Sequence, residues 1–399
     1  MWQGRHVTSE GPLHGLRVVE LGGIGPAPFC GMLLGDLGAD VIRIARVAEA
    51  GAPAPDAVLH RNARSAAIDL KHPDGVAALL RVIDGADAVI EGFRPGVAER
   101  LGLGPDVCLA RRASLVYGRM TGWGQEGPAA RTPGHDINYV GLAGVLDAIR
   151  PADDPDRAPV PPANLVGDFG GGGMLLAVGL LAALLHARAT GEGQVVDAAM
   201  VDGSALLLAM AYGARRPGAW QAAGGIDIVN GAAPFYRSYR CADGGHVVVG
   251  ALEPGFFAEL LAVLGLAGDP DFAAQYDRAA WPAMHARLAG IFAGRARDEW
   301  ARLFDGTQAC VTPVLTLAEA PDHPHLAARG TYRTRADGTV EPAPAPRFAA
   351  TPTGAVRPPR RLGADTAAVL AAAGLADDEV AQLVQAGVVA LELPPSGQA

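Results

Sequence analysis

The chain has 399 residues, half of them hydrophobic, and a formal net charge of −9, which describes a folded protein too long for one ordinary core. The acidic balance argues against a nucleic-acid partner. No basic leader followed by an apolar stretch opens the sequence, so a chain without a signal peptide is expected.

In chain order, "LRVVEL" (16–21) reads as a strand, followed by a Gly/Pro turn and a small-residue helix, "PAPFCGMLLGDLGA". "DVIRIAR" (40–46), "SAAIDL" and "ADAVIEGF" continue as strands, with the helix "PDGVAALLRVID" between the last two. Strands alternating with helices predict a parallel α/β sheet covered on both faces. "ASLVYGRM" (113–120) is a further strand, and a long loop to "GHDINY" leads into two helices expected over about 170–188 and 195–213. The uncharged apolar run 174–185 is shorter than the ~20 residues of a bilayer span, so a buried helix and no membrane partner are expected. Residues 214–231 read as a Gly/Ala-rich linker. "FYRSYRCADGGHVVVGAL" (235–252) reads as a hairpin around Asp-Gly-Gly, opening a small α+β segment that ends near 310–315. A Pro-rich stretch, 341–361, leads to a terminal helical pair.

The four cysteines, Cys30, Cys108, Cys241 and Cys310, are scattered without CxxC spacing or a histidine cluster. They read as free thiols of a reducing, cytoplasmic compartment, with no metal site. In "ELGGIGPAPFCG", Gly23 and Gly25 fit the start of a dinucleotide fingerprint. The third glycine is replaced by Pro28, however, and the next strand ends in Arg46 rather than an acid. A nicotinamide cofactor is therefore not expected.

Residues 41–119 hold eleven basic against nine acidic side chains, a local excess within an acidic chain. Arg43, Arg46, Arg61, Arg64, Lys71, Arg94 and Arg100 fall at strand ends or in nearby loops, where a doubly wound sheet binds ligands. Guanidinium groups there suit a phosphate-bearing ligand, and a solvated surface with ordinary ion pairs explains the same composition.

His135 and Asp168 carry a similar ambiguity. Asp168, between "NLVG" and four glycines, is either a helix N-cap worth ~1 kcal/mol or an acid beside backbone N–H groups that stabilise an anion. Asp197 and Asp202, five apart, do not share a helical face and read as structural. Glu253 ends an apolar strand, where a buried acid needs a partner. His135 would be that partner if a small domain closes over a large one.

These stretches, "GLRVVELGGIGPAPFCGMLLGDLGADVIRIAR", "RNARSAAIDLK", "EGFRPGVAERLGLG", "YGRMTGWGQEGP", "GHDINY" and "NLVGDFGGGGM", resemble the family III CoA-transferase (CaiB/BaiF) superfamily. Within it they are similar to the α-methylacyl-CoA racemase branch, from about residue 11 to 390. The resemblance implies a Rossmann-like large domain made from both chain ends, a small α+β central domain, and an interlocked homodimer. The expected boundaries are 1–213 for the large domain, 214–231 for the linker, 232–320 for the small domain and 321–399 for the return.

It also implies roles. His135 and Asp168 are the two acid/base residues, and Glu253 assists His135. Arg46, the segment Ile68, Asp69, Leu70 and Lys71, and Arg94 and Arg100 contact CoA. Gly134, Asp136, Ile137, Asn138 and Tyr139 line the acyl site. The expected activity is inversion of the α-carbon of a 2-methylacyl-CoA thioester, with the thioester as substrate and no cofactor. A transferase using Asp168 as nucleophile is the alternative, and a CoA-binding protein without turnover is a third reading.

Overall fold

The inner strands of the larger sheet are buried along nearly their whole length, because helices cover both of its faces. In the computed structural model, which describes residues 10–150, 156–214 and 228–391, β1 (Arg17–Leu21), β2 (Asp40–Ala45), β3 (Ala63–Ile68), β4 (Ala88–Glu91), β5 (Val116–Thr121) and β6 (Val195–Ala199) pair in parallel in the order 3-2-1-4-5-6. A short strand, β7 (Val389–Ala390), adds antiparallel beside β3. The carboxyl ends of β1 and β4 lie at the reversal of strand order, where open α/β sheets bind ligands.

Two apolar clusters flank this sheet. One face packs Ala27, Cys30 and Leu34 of helix Pro26–Asp36 with Leu176, Leu180 and Leu184 of helix Leu175–Thr190. The other packs Leu79, Val82 and Ile83 of helix Pro73–Asp84 with Val369 and Leu370 of helix Thr366–Ala372. His72 caps the Pro73–Asp84 helix by accepting the Asp74 N–H, and Pro73 takes the first helical position, where no N–H is needed.

Two expectations along this part of the chain are corrected. Residues 195–199 are the edge strand β6, and the helical residues follow as Met200–Leu207 and Ala209–Ala214. "VVDAA" extends because its main chain pairs with β5, from Tyr117 to Thr121. The helix expected from 170 instead begins at Leu165, running as a π-helix to Met174 and as an α-helix to Thr190. That run of 26 residues, with mean hydropathy 1.8 over its most apolar window, is long and apolar enough to cross a membrane, which the count of uncharged residues alone had excluded. Its Leu176, Leu180 and Leu184 stripe is buried in the sheet's core, where Gly118 of β5 leaves room for Leu176 and Leu180.

The described residues form two compact units. The first draws on Met1–Ala143, Pro162–Leu207 and Ala343–Ala399, and the second on Gly144–Pro161 and Leu208–Pro342. The second contains a three-stranded antiparallel sheet, Tyr236–Arg240, His246–Gly250 and Val311–Pro313, against a core that includes Phe235, Phe257, Trp281, Phe292 and Trp300. The hairpin around Asp243-Gly244-Gly245 is present, and Val311–Pro313 joins it as a third strand. Residues 321–342, expected in the return to the large domain, belong to this unit and end in the small ladder Tyr332–Thr334 with Val340–Pro342. Most of the 214–231 linker and the tail beyond 391 lie outside the described residues.

Candidate active site

Glycine brings the parts of the site together. A Cβ on Gly203 would stand 1.9 Å from the Gly171 carbonyl oxygen, so helix Met200–Leu207 lies directly on the π-helical segment. Gly172 and Gly173 likewise admit Pro26 at the start of the first helix, which a Cβ on either would meet at 3.0 Å and 2.6 Å respectively. With side chains at these positions the three elements could not approach so closely. The widened turn is visible in the Phe169 N–H, which donates to the Asn164 carbonyl five residues back at 3.2 Å.

Asp168 therefore lies inside a helical segment rather than at its cap, which corrects the N-cap reading. Its own N–H donates to Asp136 Oδ1 at 2.7 Å, and the Phe169 N–H is also engaged. The donors expected beside Asp168 for an anion are thus spoken for. Its carboxylate lies against Gly25, whose φ of +67° and lack of a side chain leave room for Oδ2, 3.0 Å from where a Cβ would be. Asn164 Nδ2 makes a long contact of 3.5 Å to the same oxygen. Burial, and after it the charge of Asp136, push the Asp168 carboxyl above the usual carboxylate range. The Asn164 contact and the charge of a protonated His135 act in the opposite sense.

His135 is exposed and immediately precedes helix Asp136–Leu142. Its N–H donates to Asn138 Oδ1 at 3.0 Å, and its carbonyl accepts the Asn138 N–H at 2.8 Å. Asn138 thereby holds the His135 main chain, a task beyond the ligand contact expected of it. Asp136 faces inward: Oδ2 is buried and, among the described residues, has no hydrogen-bond partner. Tyr139 is buried edge-on against Trp123, with ring centroids 4.7 Å apart, and fills the space beside Gly122 and Gly134. Burial, then the Asp168 charge, raise its phenol, and the Arg94 charge opposes them. Ile137 is exposed.

The basic residues divide by sheet edge. Arg61 and Arg64 lie at the amino-terminal edge, bound to Asp36 and Asp40, and Arg43 is buried on Glu20 at 2.9 Å. Of the two readings of these three arginines, ion pairing is the one the structure shows, each guanidinium neutralising a carboxylate of the framework. Arg46, Lys71, Arg94 and Arg100 follow the carboxyl ends of β2, β3 and β4 and are exposed. Arg46 makes one loose pair with Glu49, at 3.8 Å. Ile68 is a core residue at 1% exposure, and Leu70 packs against the same core. Asp69 Oδ1 accepts the Lys71 N–H at 2.9 Å, fixing the turn that presents Lys71.

Glu253 belongs to the second unit, where it is exposed just before helix Pro254–Val263, three residues beyond the strand's end at Gly250. Burial therefore does not require a partner for it. Asp197 accepts the Gln125 N–H, a loop anchor in keeping with its structural reading. Asn164 carried no chemical signal as a residue type, and Gly25 only that of an incomplete dinucleotide fingerprint. Their part follows from the approach of three segments distant in sequence. Among the described residues no group of three or more His, Cys, Asp or Glu side chains is placed to hold a metal ion.

The profile of CoA-transferase family III matches residues 13–366, and the chain belongs to that family. It is 43% identical over 373 residues to the α-methylacyl-CoA racemase of Mus musculus, covering 93% of this chain and 96% of the relative. The human α-methylacyl-CoA racemase is 41% identical over 374 residues, with the same coverage. Among solved structures, a CaiB/BaiF family protein from Brucella suis superimposes with a TM-score of 0.77 at 26% identity, covering 91% of this chain and all of that one.

Proposed function

We propose that this chain is an acyl-CoA racemase, inverting the α-carbon of 2-methylacyl-CoA thioesters by proton transfer between His135 and Asp168. The observation that carries the reading is electrostatic. Asp168 is a half-buried carboxyl without a guanidinium partner among the described residues, pushed upward by burial and by Asp136, and it feels the charge of His135. Two-base inversion needs one group protonated and one free, with the two arrangements close in energy. Reference imidazole and carboxylate values differ by roughly 2.6 pKa units, or ~3.5 kcal/mol against the swapped arrangement. Raising the carboxyl narrows that gap and lets either face donate.

In this reading one residue removes the α-proton, leaving an enolate, and the other delivers a proton to the opposite face. The thioester acidifies the α-carbon, so no cofactor is needed. Arg46, Asp69, Leu70, Lys71, Arg94 and Arg100 hold the CoA moiety, Gly134 to Tyr139 line the acyl site, and Glu253 assists His135.

The test is α-proton exchange in D₂O on (R)- and (S)-2-methylacyl-CoA, followed by NMR. His135→Ala and Asp168→Ala should each lower epimerisation by about 10³-fold or more, with residual exchange confined to one enantiomer. Full activity in either variant would sink the two-base mechanism, and a covalent adduct on Asp168, seen by mass spectrometry, would put a transferase in its place.

The proposed assembly is a homodimer. Its support is the apolar face that this unit leaves exposed, with Leu165, Met174, Val178 and Leu185 at 52–70% exposure along one helical run. Sedimentation velocity at micromolar concentration should give a species of twice 40.8 kDa, and a monomer there would refute the assembly. A reducing, cytoplasmic setting is the companion proposal, supported by four free cysteines, and fractionation of the producing cells tests it.

A further inference from the structure

The carboxyl end of β4 holds a charge cluster that the chemistry above does not use. Glu91, the last residue of β4, is fully buried, and its Oε1 turns back to accept the Phe93 N–H at 2.6 Å. Its Oε2 accepts from Arg119 Nε at 3.2 Å, across the β4–β5 pairing that sets the two residues side by side. The same guanidinium reaches on to Glu99, its Nη1 donating to Oε1 at 2.8 Å, and so ties the short helix Val97–Arg100 to β5. Arg119 Nη2 is buried and, among the described residues, unpartnered. Residues 92–100 are thus pinned at both ends by one arginine, and between those pins stand Arg94 and Arg100.

We infer that Glu91 and Arg119 are positioning residues that clamp the 92–100 segment in the geometry that presents Arg94 and Arg100 to the CoA phosphates. This rests on the assignment of Arg94 and Arg100 as CoA contacts. A buried ion pair is a poor source of net stability but a sensitive fixer of geometry, and a strand end leading into a ligand loop is where such fixing has an effect.

The clamp is also responsive to pH. Burial pushes Glu91 up to about 7, against the pull of Arg119 and the Phe93 N–H, with the charge of Glu99 adding to the rise. One guanidinium serves two carboxylates, so one of them takes up a proton near neutrality. The other groups facing the cluster are Tyr117, whose hydroxyl donates to the Leu103 carbonyl, and Asp197 on β6, which lies in register with Arg119. Leu21, paired with Glu91 from β1, brings no charge. Above about pH 7 Glu91 is ionised and the clamp is closed, and below it the pair with Arg119 weakens.

Calorimetric titration with free CoA tests this, using the full chain at pH 6 and pH 8. At pH 8 Glu91→Gln should weaken CoA binding by about tenfold, equivalent to one charge-assisted contact. At pH 6, where wild-type Glu91 already holds its proton, the two proteins should agree within about twofold. Comparing the two removes the titration of the CoA phosphate itself. Arg119→Met should lose the pH-dependent part, and Arg119→Lys should restore some of it. The half-exposed Glu99→Gln, which leaves the buried pair intact, should weaken binding a few-fold at both pH values. Wild-type binding with Glu91→Gln and Glu99→Gln indistinguishable from it would overturn the clamp alone. A wild-type chain that does not bind CoA would overturn the CoA assignment and the clamp with it.

Discussion

At the amino-terminal edge of the large sheet, Asp36 receives Arg61 through Nε at 3.0 Å and Nη2 at 2.6 Å, with Asn62 adding a third bond at 2.7 Å. Asp40 is held in the same way by Arg64 and Arg17. At the opposite edge Asp168 has, among the described residues, one long amide contact and, in place of a guanidinium, a second carboxylate whose oxygen accepts from its main-chain N–H. Burial acts to raise Asp40 and Asp168 alike. At Asp40 the hydrogen bonds and charges of Arg64 and Arg17 outweigh burial and leave the group low, while at Asp168 the charge of Asp136 adds to it. The difference teaches how one sheet holds charge at two ends: guanidinium-paired carboxylates build the frame, and Asp168, with no such pair among the described residues, carries a raised carboxyl of the kind the proposed proton transfer needs.

Two substitutions probe that contrast beyond the catalytic variants. The larger effect is expected where the charge is framework. Arg61→Met strands Asp36, whose side chain is 2% exposed, and should cost about 3–5 kcal/mol in urea unfolding. A loss below about 1 kcal/mol would mean the amino-terminal pairs are not structural in the sense argued. The smaller effect is at the other edge. Asp136→Asn keeps an oxygen for the Asp168 N–H and removes the neighbouring charge, so the Asp168 carboxyl should fall. The acid limb of the exchange-rate profile then moves to lower pH, and turnover at neutral pH drops by about tenfold for each pKa unit as protonated Asp168 becomes scarcer. An unchanged profile with unchanged stability would show that burial alone sets the Asp168 carboxyl.

Much of the frame was legible locally. "LRVVEL", "DVIRIAR" and "PDGVAALLRVID" become β1, β2 and the helix Pro73–Asp84 with small changes at their ends, since strand and helix periodicity are local properties. The tail strand β7 was not legible, because two residues form it only against β3. The strand at 195–199 was read as helix for a related reason: its extended form comes from pairing with β5, which a local pattern does not record. Arg43, Arg61 and Arg64 were open equally to a ligand or an ion-pair reading, because composition cannot say which edge of a sheet an arginine reaches.

The amino-acid sequence by itself determined the α/β class, the collinear motifs of CoA-transferase family III, and the positions of the histidine and the aspartate to which the proposed proton transfer is assigned. Only the tertiary structure decided the state of that aspartate. Asp168 is raised because burial and the charge of Asp136 act on it where Asp136, Asn164 and Gly25 meet it, brought close by glycines that remove the intervening side chains. Solvation and charge depend on distance through space, and those distances are set by packing rather than by position along the chain.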